Sequence, residues 1–92
     1  MWITLRCLGP LRDHFGQELL VVQLPDHSLV RDLLQWIEEH CAAAFPRYLW
    51  DFEKHQFRGP VAFAIQGTLV LDWNAPLDDG CEVSVMYAVA GG

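Results

Sequence analysis

The chain has 92 residues, of which 52% are hydrophobic, and a formal net charge of −6. That length predicts one domain, and that hydrophobic content predicts a globular protein rather than a disordered one. Twelve acidic residues against six basic ones argue against nucleic acid or an anionic membrane as the main partner. The sequence shows no signal peptide and no apolar run of transmembrane length, so we expect a cytoplasmic protein.

Alternating hydrophobicity predicts two strands in the first part of the chain. Residues 2–8 form the first strand, and the Gly9-Pro10 pair ends it. Residues 11–17 are predicted to form a loop or a single helical turn. Residues 19–24 form a second strand, and its closeness in sequence favours an antiparallel hairpin with the first.

One long helix is predicted to follow. Ser28 is a suitable N-cap, and Pro46 disfavours the helical conformation at Phe45, so the helix should end at or just before Phe45. Its apolar stripe has helical spacing and consists of Val30, Leu33, Leu34, Ile37, Cys41 and Ala44. The acidic residues off that stripe are expected to be solvated: Asp32, Glu38 and Glu39.

Residues 46–58 mix aromatic and charged side chains and carry the weakest pattern. A short second helix beginning at Pro46 is one prediction, because proline suits a first helical position. We expect the aromatic residues here to form a satellite of the core rather than a binding surface.

The last part of the chain predicts three more strands, at residues 61–65, 68–71 and 82–87, with turn residues between them. The resulting order is β-β-α-β-β-β. This order predicts an α+β fold in which a mixed sheet of about five strands is covered on one face by one long helix. We assign residues 1–88 to this domain and residues 89–92 to an extended, flexible tail.

Residues with catalytic or metal-binding potential are scattered along the chain. Cys7, Cys41 and Cys81 are odd in number and contain no Cys-x-x-Cys pair, which favours buried cytosolic thiols over a disulfide or a metal site. The four histidines lack zinc-ligand spacing and are expected at the surface, so no metal site is predicted. No catalytic triad or phosphate-binding loop is indicated, and the body is predicted to be a scaffold rather than an enzyme.

Charge is distributed unevenly, because no lysine or arginine follows Arg58. That stretch contains four acidic residues: Asp72, Asp78, Asp79 and Glu82. One interpretation is a docking surface for a partner with a basic face. The other is ordinary charge that keeps the protein soluble.

The sequence ends with Val89-Ala90-Gly91-Gly92. Glycine buries nothing and loses much conformational entropy when it becomes ordered. A frayed terminus would explain this ending. The alternative is that the carboxylate of Gly92 is the working group of the protein.

Three segments resemble the ubiquitin-like sulfur carriers of the MoaD and ThiS type, most closely the small subunit of molybdopterin synthase. They are the run from Asn74 to Val83, the ending Val89-Ala90-Gly91-Gly92, and residues 11–18. The resemblance extends nearly end to end and implies a ubiquitin-like β-grasp fold. The family often has proline just before the tail, where this chain has Tyr87-Ala88, and residues 46–58 are longer and more aromatic than usual.

The resemblance also implies a function. An ATP-using, ubiquitin-activating-like adenylyltransferase would adenylate Gly92, and a persulfide sulfur would then displace AMP to leave a thiocarboxylate. The large subunit of molybdopterin synthase would use that sulfur to build molybdopterin, with this chain as a non-catalytic small subunit that binds no cofactor itself. Val89, Ala90 and Gly91 would thread into the partner, and the docking residues would be Tyr87, Met86, Asp78 and Asp79.

Two alternatives stay open. A sulfur carrier of this type could serve another product, such as cysteine, thiamine thiazole or thiolated tRNA, through a different acceptor enzyme. The chain could also be a ubiquitin-like protein modifier or a plain binding module. Its single lysine, Lys54, excludes chains linked through several lysines.

Overall fold

The computed structural model describes residues 1–88. The tail predicted for residues 89–92 lies outside the described residues. In chain order the elements are β1 (Trp2–Cys7), α1 (Leu11–Phe15), β2 (Leu19–Gln23), α2 (Val30–His40), β3 (Trp50–Asp51), β4 (Gln56–Phe57), β5 (Val61–Ile65), β6 (Thr68–Val70) and β7 (Glu82–Tyr87).

A five-stranded mixed sheet in the order β2-β1-β7-β5-β6 forms the body of the domain. Strand β1 pairs antiparallel with β2 and parallel with β7, and β7 pairs antiparallel with β5. The predicted α+β fold, the mixed sheet and the first hairpin are therefore confirmed. The last strand along the chain lies in the middle of the sheet.

The core lies between this sheet and α2. Alternate residues of the central strands point inward and are buried, as their period of two predicts: Ile3, Leu5, Cys7, Phe63, Val83 and Val85. Helix α2 covers them with the predicted stripe, in which Val30, Leu33, Leu34 and Ile37 are buried. The opposite face of the sheet contains polar residues such as Thr4 and Arg6 together with exposed apolar ones such as Trp2 and Val21.

Both ends of α2 differ from the prediction. Ser28 is not the N-cap, because its hydroxyl donates to the Pro25 carbonyl at 2.7 Å. The cap is Leu29, which a bridge to Pro76 holds in an extended conformation, and its N–H donates to the Asp32 carboxylate at 2.7 Å. The helix ends at His40 and is followed by a 3₁₀ turn, Ala42–Ala44, in which Ala44 is exposed.

The predicted helix at Pro46 is wrong, because the chain forms an antiparallel ribbon of β3 and β4 instead. The Asp51 side chain accepts the N–H groups of Glu53 and Lys54, at 2.9 and 3.1 Å, and so turns the chain back on itself. The satellite core is confirmed for the buried residues Leu49, Trp50 and Phe57. It does not include Tyr48 and Phe52, which are exposed.

Glu38 attaches this ribbon to α2. Its carboxylate accepts a hydrogen bond from Trp50 Nε1 at 3.0 Å and lies 2.9 Å from His55 Nδ1. Glu38 is therefore only partly solvated, less than expected, since its side chain is 20% exposed. The hydrogen bonds from Trp50 and His55 lower the pKa of the Glu38 carboxyl below its ordinary value.

Truncating the centre of the α2 stripe should destabilise the protein. Leu34→Ala or Ile37→Ala should each cost about 2–5 kcal/mol in denaturant titration, because both side chains are buried against the sheet. Gln35→Ala is the matched control, since Gln35 lies between them on the exposed face and should cost under about 0.5 kcal/mol. Losses that small at Leu34 and Ile37 would contradict this packing.

The Glu38 contact should make stability depend on pH. A carboxyl whose pKa is lowered by folding stabilises the protein above its unfolded pKa, and the contribution is lost as pH falls through the folded pKa. Glu38→Gln should therefore unfold at a lower temperature than the parent at neutral pH, and the difference should shrink in acid. A difference that stays constant across an acid series of thermal melts would contradict an ionic role.

Candidate functional site

The last described residues fix the point at which the tail begins. On one side of β7, the N–H of Leu8 donates to the Val85 carbonyl at 3.0 Å. On the other side, Tyr87 pairs with Val61, and the N–H of Ala88 donates to the Pro60 carbonyl at 2.6 Å. The chain is therefore held on both sides close to residue 88, and any extension starts from a defined position.

A groove of about 250 Å³ lies at this position and is lined by Leu8, Gly9, Pro10, Met86 and Tyr87. Gly9 has φ of +58°, a conformation that residues with a side chain seldom adopt. This turn places Leu8 and Pro10 beside the end of β7. The structure therefore brings together Met86 and Tyr87, two of the docking residues that the resemblance implied. We call this groove and its lining the tail root.

Tyr48 belongs to the same region, although sequence reasoning missed it. Its side chain is 66% exposed, and its ring meets that of His14 edge to face at 6.3 Å. Burial, and then the neighbouring Tyr48 phenol, raises the pKa of Tyr87. The one feature of the sequence that could have indicated an exposed position for Tyr48 was its hydroxyl group, because such a ring often lies with its polar end in solvent.

The other two predicted docking residues lie elsewhere. Asp79 accepts the N–H of Trp2 at 2.7 Å, and the N–H of Gly80 donates to the Trp2 carbonyl at 2.6 Å. These bonds connect the turn before β7 to the beginning of β1. Because β7 has six residues, Asp78 and Asp79 lie roughly 20 Å from the tail root. The acidic turn and the tail root are separate surfaces.

The cysteine thiols are poor nucleophiles. Burial raises the pKa of the Cys7 thiol to about 12, and the neighbouring Cys41 adds to the shift. Burial also raises the pKa values of Cys41 and Cys81 above the ordinary thiol value. Since the reactive form of cysteine is the thiolate, none of the three is activated at neutral pH.

A groove of about 860 Å³ lies away from the tail root, between α2, the β3–β4 ribbon and residues 71–74. Its lining contains the basic residues Arg31 and Lys54 and the acidic residues Glu39 and Asp72. Because both signs of charge are present, the groove favours no one class of charged ligand. Within residues 1–88, no cluster of histidine, cysteine and acidic residues could hold a metal ion. No helix in that range is long and apolar enough to span a bilayer.

The fold and the tail root define a ubiquitin-like β-grasp protein. A model described as the ThiS family matches residues 6–92. The chain therefore belongs to the ThiS family, among the ubiquitin-like sulfur carriers and modifiers, and the resemblance found in the sequence is confirmed. No curated protein matches the chain.

Solved structures show the same fold. The Haloferax volcanii protein HVO 2177 is 32% identical, with a TM-score of 0.74 over 100% of this chain and 87% of its own. SAMP1, a small archaeal modifier protein from Haloferax volcanii, is 15% identical, with a TM-score of 0.78 and full coverage of both chains. A chain from the complex of subunits 1 and 2 of Helicobacter pylori molybdopterin-converting factor is 23% identical, with a TM-score of 0.55 and full coverage of both chains.

The burial of the thiols should make them slow to react. Native protein at neutral pH should be alkylated by iodoacetamide more slowly than a free cysteine, with Cys7 slowest, because its pKa is raised most and the thiolate is scarce. Labelling should become fast and complete in denaturant. Mass spectrometry of the labelled peptides checks this, and rapid native labelling at Cys7 would contradict the buried position.

Proposed function

We propose that this chain is a sulfur carrier whose C-terminal Gly92 is adenylated and then converted to a thiocarboxylate, and that it donates this sulfur in molybdopterin biosynthesis. The observation that carries the proposal is the family match, which extends to Gly91 and Gly92. The position of Ala88 supports it, because the last described residue is hydrogen-bonded at the rim of the sheet, next to the tail root.

The chemistry requires activation of the terminal carboxylate. An α-carboxyl has a pKa of about 3.5, so it is an anion and a poor electrophile at neutral pH. Joining one carboxylate oxygen to the α-phosphorus of ATP releases pyrophosphate and gives an acyl adenylate. A persulfide sulfur then attacks the carbonyl carbon, AMP leaves with its electron pair, and reduction of the resulting acyl disulfide by a thiol leaves the thiocarboxylate.

The chain contributes delivery rather than catalysis. Four extended residues beyond Ala88 reach about 13–14 Å, which is enough to enter a partner's active site. Gly91 and Gly92 have no Cβ, so a narrow channel can close around the backbone. The protonated thiols of the body offer no competing sulfur site. This division of labour suits a non-catalytic small subunit.

Two partners follow from this proposal. The first is an ubiquitin-activating-like adenylyltransferase, which uses ATP. The second is the large subunit of molybdopterin synthase, and the similarity to a chain of the Helicobacter pylori subunit 1 and 2 complex supports that choice. Cysteine, thiamine thiazole or tRNA thiolation would require a different acceptor.

A protein modifier is the second candidate, favoured by the similarity to SAMP1. The two functions differ in the bond that Gly92 finally forms. A carrier ends as a thiocarboxylate that loses its sulfur, whereas a modifier ends as an amide with a lysine of another protein. Mass analysis of the protein purified from its own cells, with and without protease digestion, separates these products.

Deleting Gly92 should abolish sulfur loading and leave the body folded. The deletion draws the carboxylate back by one residue, about 3.5 Å, and a misplacement of even 1 Å can cost a hundredfold in rate. After incubation with the cognate activating enzyme, ATP and a sulfur donor, intact parent protein should gain the mass of one oxygen-to-sulfur exchange at Gly92. Gly91→Val should fail as well, because its side chain would block the channel.

Circular dichroism and the denaturation midpoint serve as controls, since terminal glycines contribute almost no buried apolar surface. Both variants should match the parent. Equal sulfur incorporation in the deletion variant, or sulfur located on Cys7, Cys41 or Cys81, would refute the carrier proposal.

A paired experiment should show which surface the partner contacts. Tyr87→Ala should weaken binding to the activating enzyme, because Tyr87 lines the groove at the tail root. Asp78→Lys tests the acidic turn: if that turn docks on a basic face, association should slow and its salt dependence should flatten. Asp78 is used alone because Asp79 is bonded to Trp2. Binding kinetics unchanged by Tyr87→Ala would exclude the tail root as a docking surface.

A further inference from the structure

Strand β2 forms one edge of the sheet, and its outer side has no partner among residues 1–88. On its inner side, the backbone N–H of Cys7 donates to the Glu18 carbonyl at 2.7 Å, and the backbone N–H of Leu24 donates to the Met1 carbonyl at 3.0 Å. In an antiparallel pair the hydrogen-bonded positions alternate, so Leu20 and Val22 also bond toward β1. The N–H and C=O groups of the remaining residues therefore point away from the sheet: Leu19, Val21 and Gln23.

This edge has none of the usual protections. Proteins blunt free edges with charge, proline, bulges or very short strands. Strand β2 reads Leu-Leu-Val-Val-Gln, without charge or proline, and pairs with β1 in unbroken register. Val21 is 68% exposed on it. The opposite edge, β6, is only three residues long, so it is protected by its shortness.

A groove of about 430 Å³ runs beside this edge, between the end of β2 and helix α2. Leu24, Pro25 and Trp36 form its apolar lining. Its acidic lining residues are Asp26, Asp32 and Glu39, and the lining contains neither lysine nor arginine. Asp26 is paired with the Met1 ammonium at 3.3 Å, so Asp32 and Glu39 supply the net negative charge. An open backbone edge and an acidic apolar groove therefore lie next to each other.

We propose that β2 accepts an extended segment of a partner protein as a sixth strand of the sheet, and that this segment carries alternating apolar residues flanked by lysine or arginine. Its backbone would pair with the free groups of Leu19, Val21 and Gln23. Alternate side chains of an added strand point to opposite faces. One set therefore enters the groove beside Trp36, and the other lies next to Val21.

This surface is separate from the tail root. Strand β2 runs antiparallel to β1 and β7, so the groove, which begins at Gln23, lies at the end of the sheet opposite Tyr87. Two strands separate β2 from β5, and β7 is one of them. A segment bound here leaves the tail root uncovered, so the carrier can hold this partner while its tail is engaged elsewhere.

The direct test is amide hydrogen exchange with a synthetic peptide in which valine and threonine alternate between flanking arginines. The peptide should slow exchange at the amides of Leu19, Val21 and Gln23 by at least about tenfold, because each becomes hydrogen-bonded. Replacing the arginines with glutamates should weaken binding by at least about tenfold, because the groove is acidic.

Val21→Pro removes one outward N–H without removing a bond to β1, and proline is tolerated at such an edge position. It should weaken peptide binding by at least about tenfold, whereas the matched control Val21→Thr, which keeps the N–H and the branched side chain, should bind like the parent. If Val21→Pro fails to fold, Glu39→Lys inside the groove is compared with Asp13→Lys, the same change of charge on α1, which follows the opposite end of β1. Only the Glu39 variant should weaken binding.

Unchanged exchange at these three amides in the presence of the peptide would overturn the proposal. Equal binding of the arginine and glutamate peptides would overturn the charge assignment and with it the partner chemistry. Protection of the same amides that grows with protein concentration alone, without peptide, would assign the edge to a second copy of this chain instead.

Discussion

The parallel pairing of β1 with β7 is the contact on which the rest of the structure depends. It joins residues that are far apart in sequence, and Arg6 and Glu82 reinforce it with a side-chain contact of 2.7 Å. The Asp79 and Gly80 bonds to Trp2 set its register at one end, and the Leu8 bond to Val85 sets it at the other. Strand β5 pairs with the other side of β7, so β7 is hydrogen-bonded on both sides. The chain therefore leaves the sheet from a central strand whose position is fixed by two neighbours.

The body of the domain combines a rigid frame with chemical inertness. Cys7 and Cys81 are buried, Cys41 is partly buried, and burial raises the pKa of all three thiols. Asp79 in the acidic turn is bonded to the first strand. Such a body suits the proposed function, in which the terminal carboxylate passes from one enzyme to another, since a competing nucleophile near the tail would divert the activated carbonyl. Under that proposal the partner enzymes supply the catalytic groups, and this chain supplies the geometry.

Much of this architecture could be predicted from the sequence, because the strands and α2 have strong periodicity and the turn from Asn74 to Gly80 has specific chemistry. The β3–β4 ribbon could not, because one side chain, Asp51, reverses a segment whose composition suits a helix equally well. The N-cap of α2 is Leu29 rather than the predicted Ser28, because a bridge to Pro76, which is distant in sequence, holds Leu29 in an extended conformation. Asp78 and Asp79 are far from Tyr87 because the six residues of β7 lie between the turn and the end of that strand, so a resemblance that grouped them as docking residues joined two separate surfaces.

The central place of β7 also has a consequence during synthesis. The ribosome makes β1, β2, β5 and β6 before the strand that joins them, so the growing chain holds two unpaired hairpins until residues 82–87 emerge. A chain that stops before that point lacks the middle of its sheet and exposes apolar strand edges, which favours its degradation or aggregation. Accumulated folded protein is thereby enriched in molecules that contain the complete sheet, so the topology itself acts as a length check on the domain.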